Sequence, residues 1–311
     1  MPQRRIGDRL VSCLGLGCMP LSFERMVDQR EQAIQTVHRA LDLGITLLDT
    51  ANIYAPAWDQ VGHNERLVAE ALRSYRGQAD LAQVLVTTKG GITRGPGESW
   101  GRDSAREALR GACEASLAAL DVEVIDLYQH HRHDPALSYP EQMRALAALR
   151  SAGLVRMIGL SNATGPELDL ALDLLGGPDD GGVVSVQNEF SPRFRQDADV
   201  LQRCTELGIA FLPWSPLGGS DQAHQVGSHY AEFAEVGDEL GASAQETVLA
   251  WLLATSPVMI PIPGATRPAT VESIVRAGSL ALTPDQVRRL ADTPSESTSM
   301  YPDEEPRSSL V

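Results

Sequence analysis

The chain has 311 residues, 43% of them hydrophobic, enough for a sizeable core in one large domain or two ordinary ones. Its 26 basic and 41 acidic side chains give a formal net charge of −15, which opposes binding to nucleic acid phosphates or to an anionic membrane, so an anionic ligand must find a local basic pocket. No run reaches membrane-spanning length, the opening MPQRRIGDRL lacks an apolar signal segment, and the four cysteines (Cys13, Cys18, Cys113, Cys204) form neither a disulfide framework nor a CxxC pair; a reduced, cytoplasmic setting is expected.

Along the chain, RRIGDRLVSCLGLGCM reads as a short hairpin running into a strand. Apolar strand-like runs then follow at 45–49, 84–89, 124–130, 155–161, 183–187, 209–214 and 258–263, which with LGLGCM makes eight. Between and after them lie amphipathic helical patterns at 30–43, 64–74, 103–119, 139–151, 166–175, 196–207, 231–240 and 243–255. Pro166 near a start and Gly44, Gly153 and Gly208 at ends punctuate these helices. Parallel strands buried on both faces need right-handed helical crossovers, so this alternation predicts one domain over 1–311, an α/β protein of the (β/α)8 TIM-barrel type. A doubly wound open sheet is the rival, but the phosphate fingerprint GxGxxG fails in GLGCMP at Pro20. The longest irregular stretch is SPLGGSDQAHQVGSHY, and the acidic tail 292–311 is expected to be loosely held.

A barrel of this kind carries its chemistry at the carboxyl ends of its strands. Polar groups appear there in series: Asp49, Lys89, His131, Ser161 with Asn162, Gln187, and Trp214. Taken singly, each has a plain structural use: Asp49 as a cap, Lys89 as a solvated strand end, Tyr54 and Trp214 as packing. The histidines His130, His131 and His133 lack an acid or cysteine at ligand spacing, so no metal is expected.

Together they pose the question of what chemistry an acid, a lysine, a tyrosine and a histidine serve on one rim without a metal. A phenol is a weak acid at neutrality, but a neighbouring ammonium favours its ionised form and pulls its pKa down. Lys89 would supply that field to Tyr54, and the Asp49 carboxylate would keep Lys89 charged and in place.

The motifs DTANIY followed by GHNERLVAEAL, VTTKGG, IDLYQHHRHDP, IGLSN, VQNEFS, PWSPLGG and IPIPGATRP occur in this order, and over about residues 11 to 290 the chain resembles the aldo-keto reductase superfamily. The resemblance implies an NADPH-dependent oxidoreductase that reduces aldehydes or ketones, with Asp49, Tyr54, Lys89 and His131 as catalytic tetrad. Its register in DLYQHHRHDP selects His131, leaving His130 facing the other way and His133 in the loop. It implies Ser161, Asn162 and Gln187 around the nicotinamide carboxamide, and Trp214 stacked on the ring where most relatives carry tyrosine. Ser215, Leu217 and Gly218 would wrap the pyrophosphate, and Gly264, Thr266 and Arg267 would hold the adenosine phosphate. Arg267 is the local cation an acidic chain needs and favours NADPH over NADH. Where relatives often carry an amide and an asparagine further along, this chain has Thr270 and Ile274, which reduces the implied adenine contacts.

Tyr54 is expected to donate the proton while neutral His131 orients the carbonyl. Trp58 and Trp100, with Phe23 and Met26, predict an apolar, aromatic mouth, and Glu98, Arg102 and Asp103 are candidates for polar selectivity. The substrate is a small carbonyl compound of unspecified identity, with no nucleic acid or membrane partner and a monomer by default. The alternative function is a cofactor-binding regulatory subunit that reports redox state with little turnover.

Overall fold

The computed structural model describes residues 1–303. The chain opens with the antiparallel hairpin β1 (Gln3–Ile6) and β2 (Arg9–Ser12). The strands β3 (Leu16–Gly17), β4 (Leu47–Asp49), β5 (Leu85–Gly90), β8 (Ile125–His130), β9 (Val155–Ser161), β10 (Val183–Gln187) and β11 (Ala210–Phe211) then pair in parallel, each with its predecessor in this series. A second hairpin, β6 (Ile92–Gly95) and β7 (Ser99–Arg102), projects after β5. It is absent from the sequence reading because its short strands and three glycines carry no apolar alternation.

The outer helices are α1 (Arg30–Asp42), α2 (His63–Ser74), α3 (Arg106–Leu120), α4 (Tyr139–Ser151), α5 (Gly165–Leu175), α6 (Ala198–Leu207), the single turn α7 (Val226–His229), α8 (Ala231–Leu240), α9 (Ala244–Thr255), α10 (Pro268–Ala277) and α11 (Pro284–Ala291). Capping boxes fix the starts of α4, α5, α9 and α11, where Ser138, Thr164, Ser243 and Thr283 exchange bonds with Glu141, Glu167, Glu246 and Gln286. The last two helices are unmarked in the sequence reading, although Pro268 and Pro284 stand at early helical positions.

Of the eight expected strands, that at 258–263 forms no continuous ladder. Met259 bridges Phe211, and Gly264 bridges Gly17, so this segment closes the barrel between β11 and β3 through isolated pairs. The cause is Pro261 and Pro263, which have no N–H to donate. They can still accept: Gly15 N–H and Gly17 N–H donate to the carbonyls of Pro261 and Pro263 at 2.9 and 3.0 Å.

Two cores follow from the period-2 alternation of the strands. One fills the barrel with Leu47, Leu85, Leu127, Met157, Val184, Leu212, Ile260 and Ile262, plugged from the hairpin by Ile6 and Val11. The other lies between the strands and the helices and includes Leu48, Tyr128, Ile158 and Leu160. Stepping two residues up from the interior leucines changes the chemistry: Leu47 gives way to Asp49, Leu85 to Thr87 and Lys89, and Leu127 to Gln129. The apolar floor thus becomes a polar mouth within about two layers of side chains.

Of the acidic tail, residues 292–303 lie against this mouth. Glu296 bridges Phe194 and pairs with Arg193, Ser299 Oγ and Met300 N–H donate to Glu189, and Asp303 meets Arg102 and Arg132. The remainder of the tail expected to be loose, 304–311, lies outside the described residues.

Candidate active site

Asp49 and Lys89 end β4 and β5 on their inward faces, both buried, with Lys89 Nζ 2.7 Å from Asp49 Oδ2. Lys89 Nζ also donates to the Thr50 carbonyl at 2.8 Å and to the Tyr54 hydroxyl at 3.3 Å. Tyr54 lies in the loop after β4, in a turn whose amide returns to the Ala51 carbonyl. That loop is tied down by Asn64, which accepts from Thr50 Oγ1 at 2.6 Å and donates to the Cys18 carbonyl and Ser22 Oγ at 2.8 and 2.7 Å. His131 follows β8, its amide bonded to the Gly90 carbonyl, and its ring meets that of Tyr54 edge-on at 6.0 Å.

The electrostatics modify one expectation. Burial raises the Tyr54 pKa; the Lys89 charge lowers it, Asp49 raises it again, and the net result stands above the ordinary phenol value. Lys89 therefore offsets part of the burial cost without making the phenol acidic in this state. The expected lowering by Lys89 is present, but burial is the larger influence and sets the net direction. Burial alone would lower the Lys89 pKa, but the Asp49 charge and hydrogen bonds outweigh it, so the ammonium is retained. His131 is pushed well below the usual imidazole range by burial first and by Lys89 and Arg132 next, which keeps it neutral.

The groups expected around the nicotinamide lie among the residues expected to form the tetrad. Ser161 Oγ donates to the Gln187 carbonyl, and Asn162 Nδ2 donates to the His131 carbonyl at 3.0 Å and to Ser161 Oγ at 3.1 Å. Trp214 Nε1 donates to Asn162 Oδ1 at 3.1 Å. Asn162 adopts φ 56°, a left-handed conformation that asparagine tolerates better than most residues. Ser215 and Gly218, φ 47° and 80°, form a tight turn after Trp214, closed by the Gly218 amide on the Ser215 carbonyl, with Leu217 half-buried between them. Gly264 lies across the barrel seam from Gly17; Thr266 accepts from Gln32 through its carbonyl, and exposed Arg267 stands just before α10 with its Nε donating to Thr270 Oγ1. Ile274 is buried in the outer core, so it presents nothing to a ligand.

Other candidates divide. His130 Nε2 is 2.9 Å from Ser104 Oγ, and His133 Nδ1 is 2.6 Å from Glu167 Oε1, so both rings are held by partners outside the candidate tetrad. His133 is thus buried, although it lies in the loop as expected. Trp100 is exposed on the second hairpin with the Arg94 guanidinium over its ring, and Trp58 is linked through its amide to Glu98. Met26, expected at the mouth, is buried in the outer core, and Phe23 carries Arg25 over its ring. Sequence reading passed over Gln129, which donates to Thr87 Oγ1 at 2.9 Å and Asp49 Oδ1 at 3.3 Å. Its place two residues after interior Leu127 was the available signal. Tyr301, 5.8 Å from Trp214 between ring centroids, had none, because only the folded tail brings it there.

A model of the aldo/keto reductase family matches residues 13–293. The chain belongs to that family. An uncharacterized oxidoreductase of Schizosaccharomyces pombe is 33% identical over 98% of this chain and 94% of its own length. Pyridoxine 4-dehydrogenase of Escherichia coli is 29% identical over 92% of this chain and 96% of its own. An aldo/keto reductase from Klebsiella pneumoniae, solved in complex with NADP and acetate, superposes with TM-score 0.77 at 22% identity, covering 99% of both chains. As an aldo/keto reductase the protein is an oxidoreductase on the barrel fold described above. No helix among its described residues is long and apolar enough to cross a membrane.

Proposed function

We propose that this aldo/keto reductase reduces an aldehyde or ketone to the alcohol, taking hydride from NADPH, with Tyr54 as proton donor. The observation that carries the reading is the chain of contacts Asp49–Lys89–Tyr54, continuous at 2.7 and 3.3 Å from the buried ion pair to a half-buried phenol, with neutral His131 facing the same phenol. Solved aldo/keto reductases from Klebsiella pneumoniae in complex with NADP or NADPH support the choice of cofactor.

The donor set suits a dinucleotide. Ser161, Asn162 and Gln187 supply hydroxyl and amide groups that match a carboxamide, and Trp214 offers an indole face at the mouth. The turn Ser215–Gly218 exposes backbone to a pyrophosphate, and Arg267 with Thr266 at the start of α10 suits a phosphate ester. When bound, NADPH supplies the hydride. Gln187 Nε2 is already committed to Asp49, so its carbonyl oxygen is the atom it offers to a carboxamide N–H.

The protein's own groups do the rest. Tyr54 and His131 donate hydrogen bonds to the carbonyl oxygen, which strengthen as negative charge develops there. Tyr54 stays protonated until that moment because burial holds its pKa high. It then releases its proton to the alkoxide, and the adjacent Lys89 ammonium stabilises the phenolate that results. Asp49 keeps Lys89 charged, and Gln129 and Gln187 keep Asp49 in place.

The test mixes the protein with NADPH and an activated aromatic aldehyde and follows loss of nicotinamide absorbance. Tyr54→Phe should bind NADPH as tightly as the parent yet turn over at least about a hundredfold more slowly. Equal rates would remove Tyr54 from the proton-donor role.

A further inference from the structure

Two arginines meet beside the tetrad. Arg132 directly follows His131, and Arg102 ends β7. Both guanidinium groups converge on a single oxygen of the tail: Arg102 Nη2 and Arg132 Nε lie 2.8 and 3.1 Å from Asp303 Oδ1. The three side chains are only 20%, 14% and 17% exposed. Arg102 is further oriented by donating to the His133 carbonyl, and Arg132 by donating to the Tyr301 carbonyl. The surface pairs Arg110–Glu114 and Arg288–Asp285 differ, since each joins neighbours on one helix with both partners mostly in solvent.

The tail just before Asp303 reaches the candidate cofactor-binding side of the site. Tyr301 lies against Trp214, with ring centroids 5.8 Å apart. Asp303 is thus a carboxylate held by two cations, one of which, Arg132, directly follows His131. In a chain of net charge −15, such a pair is a local focus of positive charge, and the group it holds is a carboxylate.

We propose that Arg102 and Arg132 form a subsite for a carboxylate on the substrate, so that the favoured substrates are carboxylate-bearing aldehydes or ketones, with Asp303 as their tethered stand-in. This rests on the reductase reading. The substrate carboxylate takes the guanidinium donors that Asp303 now occupies, and its carbonyl reaches Tyr54 and His131. Asp303 is then an internal competitor, and neutralising it favours the charged substrate over a neutral one.

The experiment compares 4-carboxybenzaldehyde with benzaldehyde at saturating NADPH and reads the ratio of their KM values. Asp303→Asn should lower the ratio of charged to neutral KM at least about threefold, and Arg102→Gln should raise it about tenfold. Arg102→Lys, which keeps the charge, should recover part of that rise. Ratios that stay within about twofold of the parent in Asp303→Asn and Arg102→Gln overturn the proposal, even if both KM values move together. Benzoate titrated into the NADPH-loaded protein, followed by tryptophan fluorescence, gives an arm that needs no turnover: Asp303→Asn should bind it more tightly and Arg102→Gln more weakly. If neither aldehyde is reduced but benzoate follows this order, the reductase reading fails and the anion subsite stands. If benzaldehyde is reduced and neither the ratio nor benzoate binding responds, the subsite fails and the reading stands.

Discussion

Gln187 donates its amide N–H to Asp49 Oδ1 at 2.8 Å, while the other oxygen of the same carboxylate takes Lys89 Nζ at 2.7 Å. With Gln129 also on Oδ1, the acid joins the ends of β5, β8 and β10 in one buried network. A carboxylate has about four acceptor positions, so three donors can hold it without crowding. The relationship links a residue proposed for cofactor binding to the residue that keeps the tetrad lysine charged.

Removing Lys89 should therefore harm folding as well as chemistry. Lys89→Met leaves Asp49 buried with only neutral donors, a change expected to cost about 3–5 kcal/mol of unfolding free energy, measured by urea denaturation at pH 7. The pH dependence gives the sign. The folded pKa of Lys89 is raised, so its contribution is fully present below the ordinary lysine value and is lost as pH rises through the folded one. Parent and variant should converge in stability only at strongly alkaline pH.

Trp214 tests the mouth. In Trp214→Ala the indole bond to Asn162 and the contact with Tyr301 both disappear. NADPH affinity should fall about tenfold, consistent with the loss of a ring stack and its polar anchor, and NADPH quenching of tryptophan fluorescence should shrink sharply. Trp214→Phe should retain most of the affinity. An alanine variant that binds NADPH as well as the parent would separate this ring from the cofactor.

His130 predicts an acid limb of stability. Burial first and the neighbouring His133 next pull its pKa down to about 4, with Glu167 and Asp134 opposing them. The unfolded chain binds this proton more readily, so stability is intact above about pH 6.5 and declines as pH falls toward 4, by on the order of 3 kcal/mol. Guanidinium denaturation at a series of pH values should show a shallower decline for His130→Gln than for the parent. Parallel curves would remove His130 as a source of the acid limb.

Gly17 tests the seam. A Cβ added there would lie 2.6 Å from the backbone carbonyl oxygen of Ile262, and that oxygen belongs to the segment that closes the barrel. Gly17→Ala is expected to destabilise the fold by about 1–3 kcal/mol, because main chain cannot swing aside as a side chain can. A thermal midpoint equal to that of the parent would mean that the seam yields.

The positions of Asp49 and Lys89 were legible in the sequence because the strand period ties chemistry to position: an apolar run ending in either must surface at the barrel mouth, whereas the choice of His131 among its neighbours rested on the resemblance. Helices were legible where an apolar stripe and a stop signal coincided, as in Arg30–Asp42 before Gly44. The run 258–263 was harder, since its apolar side chains announce a strand while its prolines remove the donors that a ladder requires.

The linear order of residues determined the alternation of strands and helices, the polar ends of the strands and the candidate phenol, amine, acid and imidazole, because each depends on spacing within a short segment. Tertiary structure alone decided that burial outweighs Lys89 in setting the Tyr54 pKa, that Gln129 and Gln187 share Asp49, and that Asp303 reaches Arg102 from 201 positions away. Desolvation and long-range pairing depend on what other segments bring to the same place, and spacing within one segment carries no record of that.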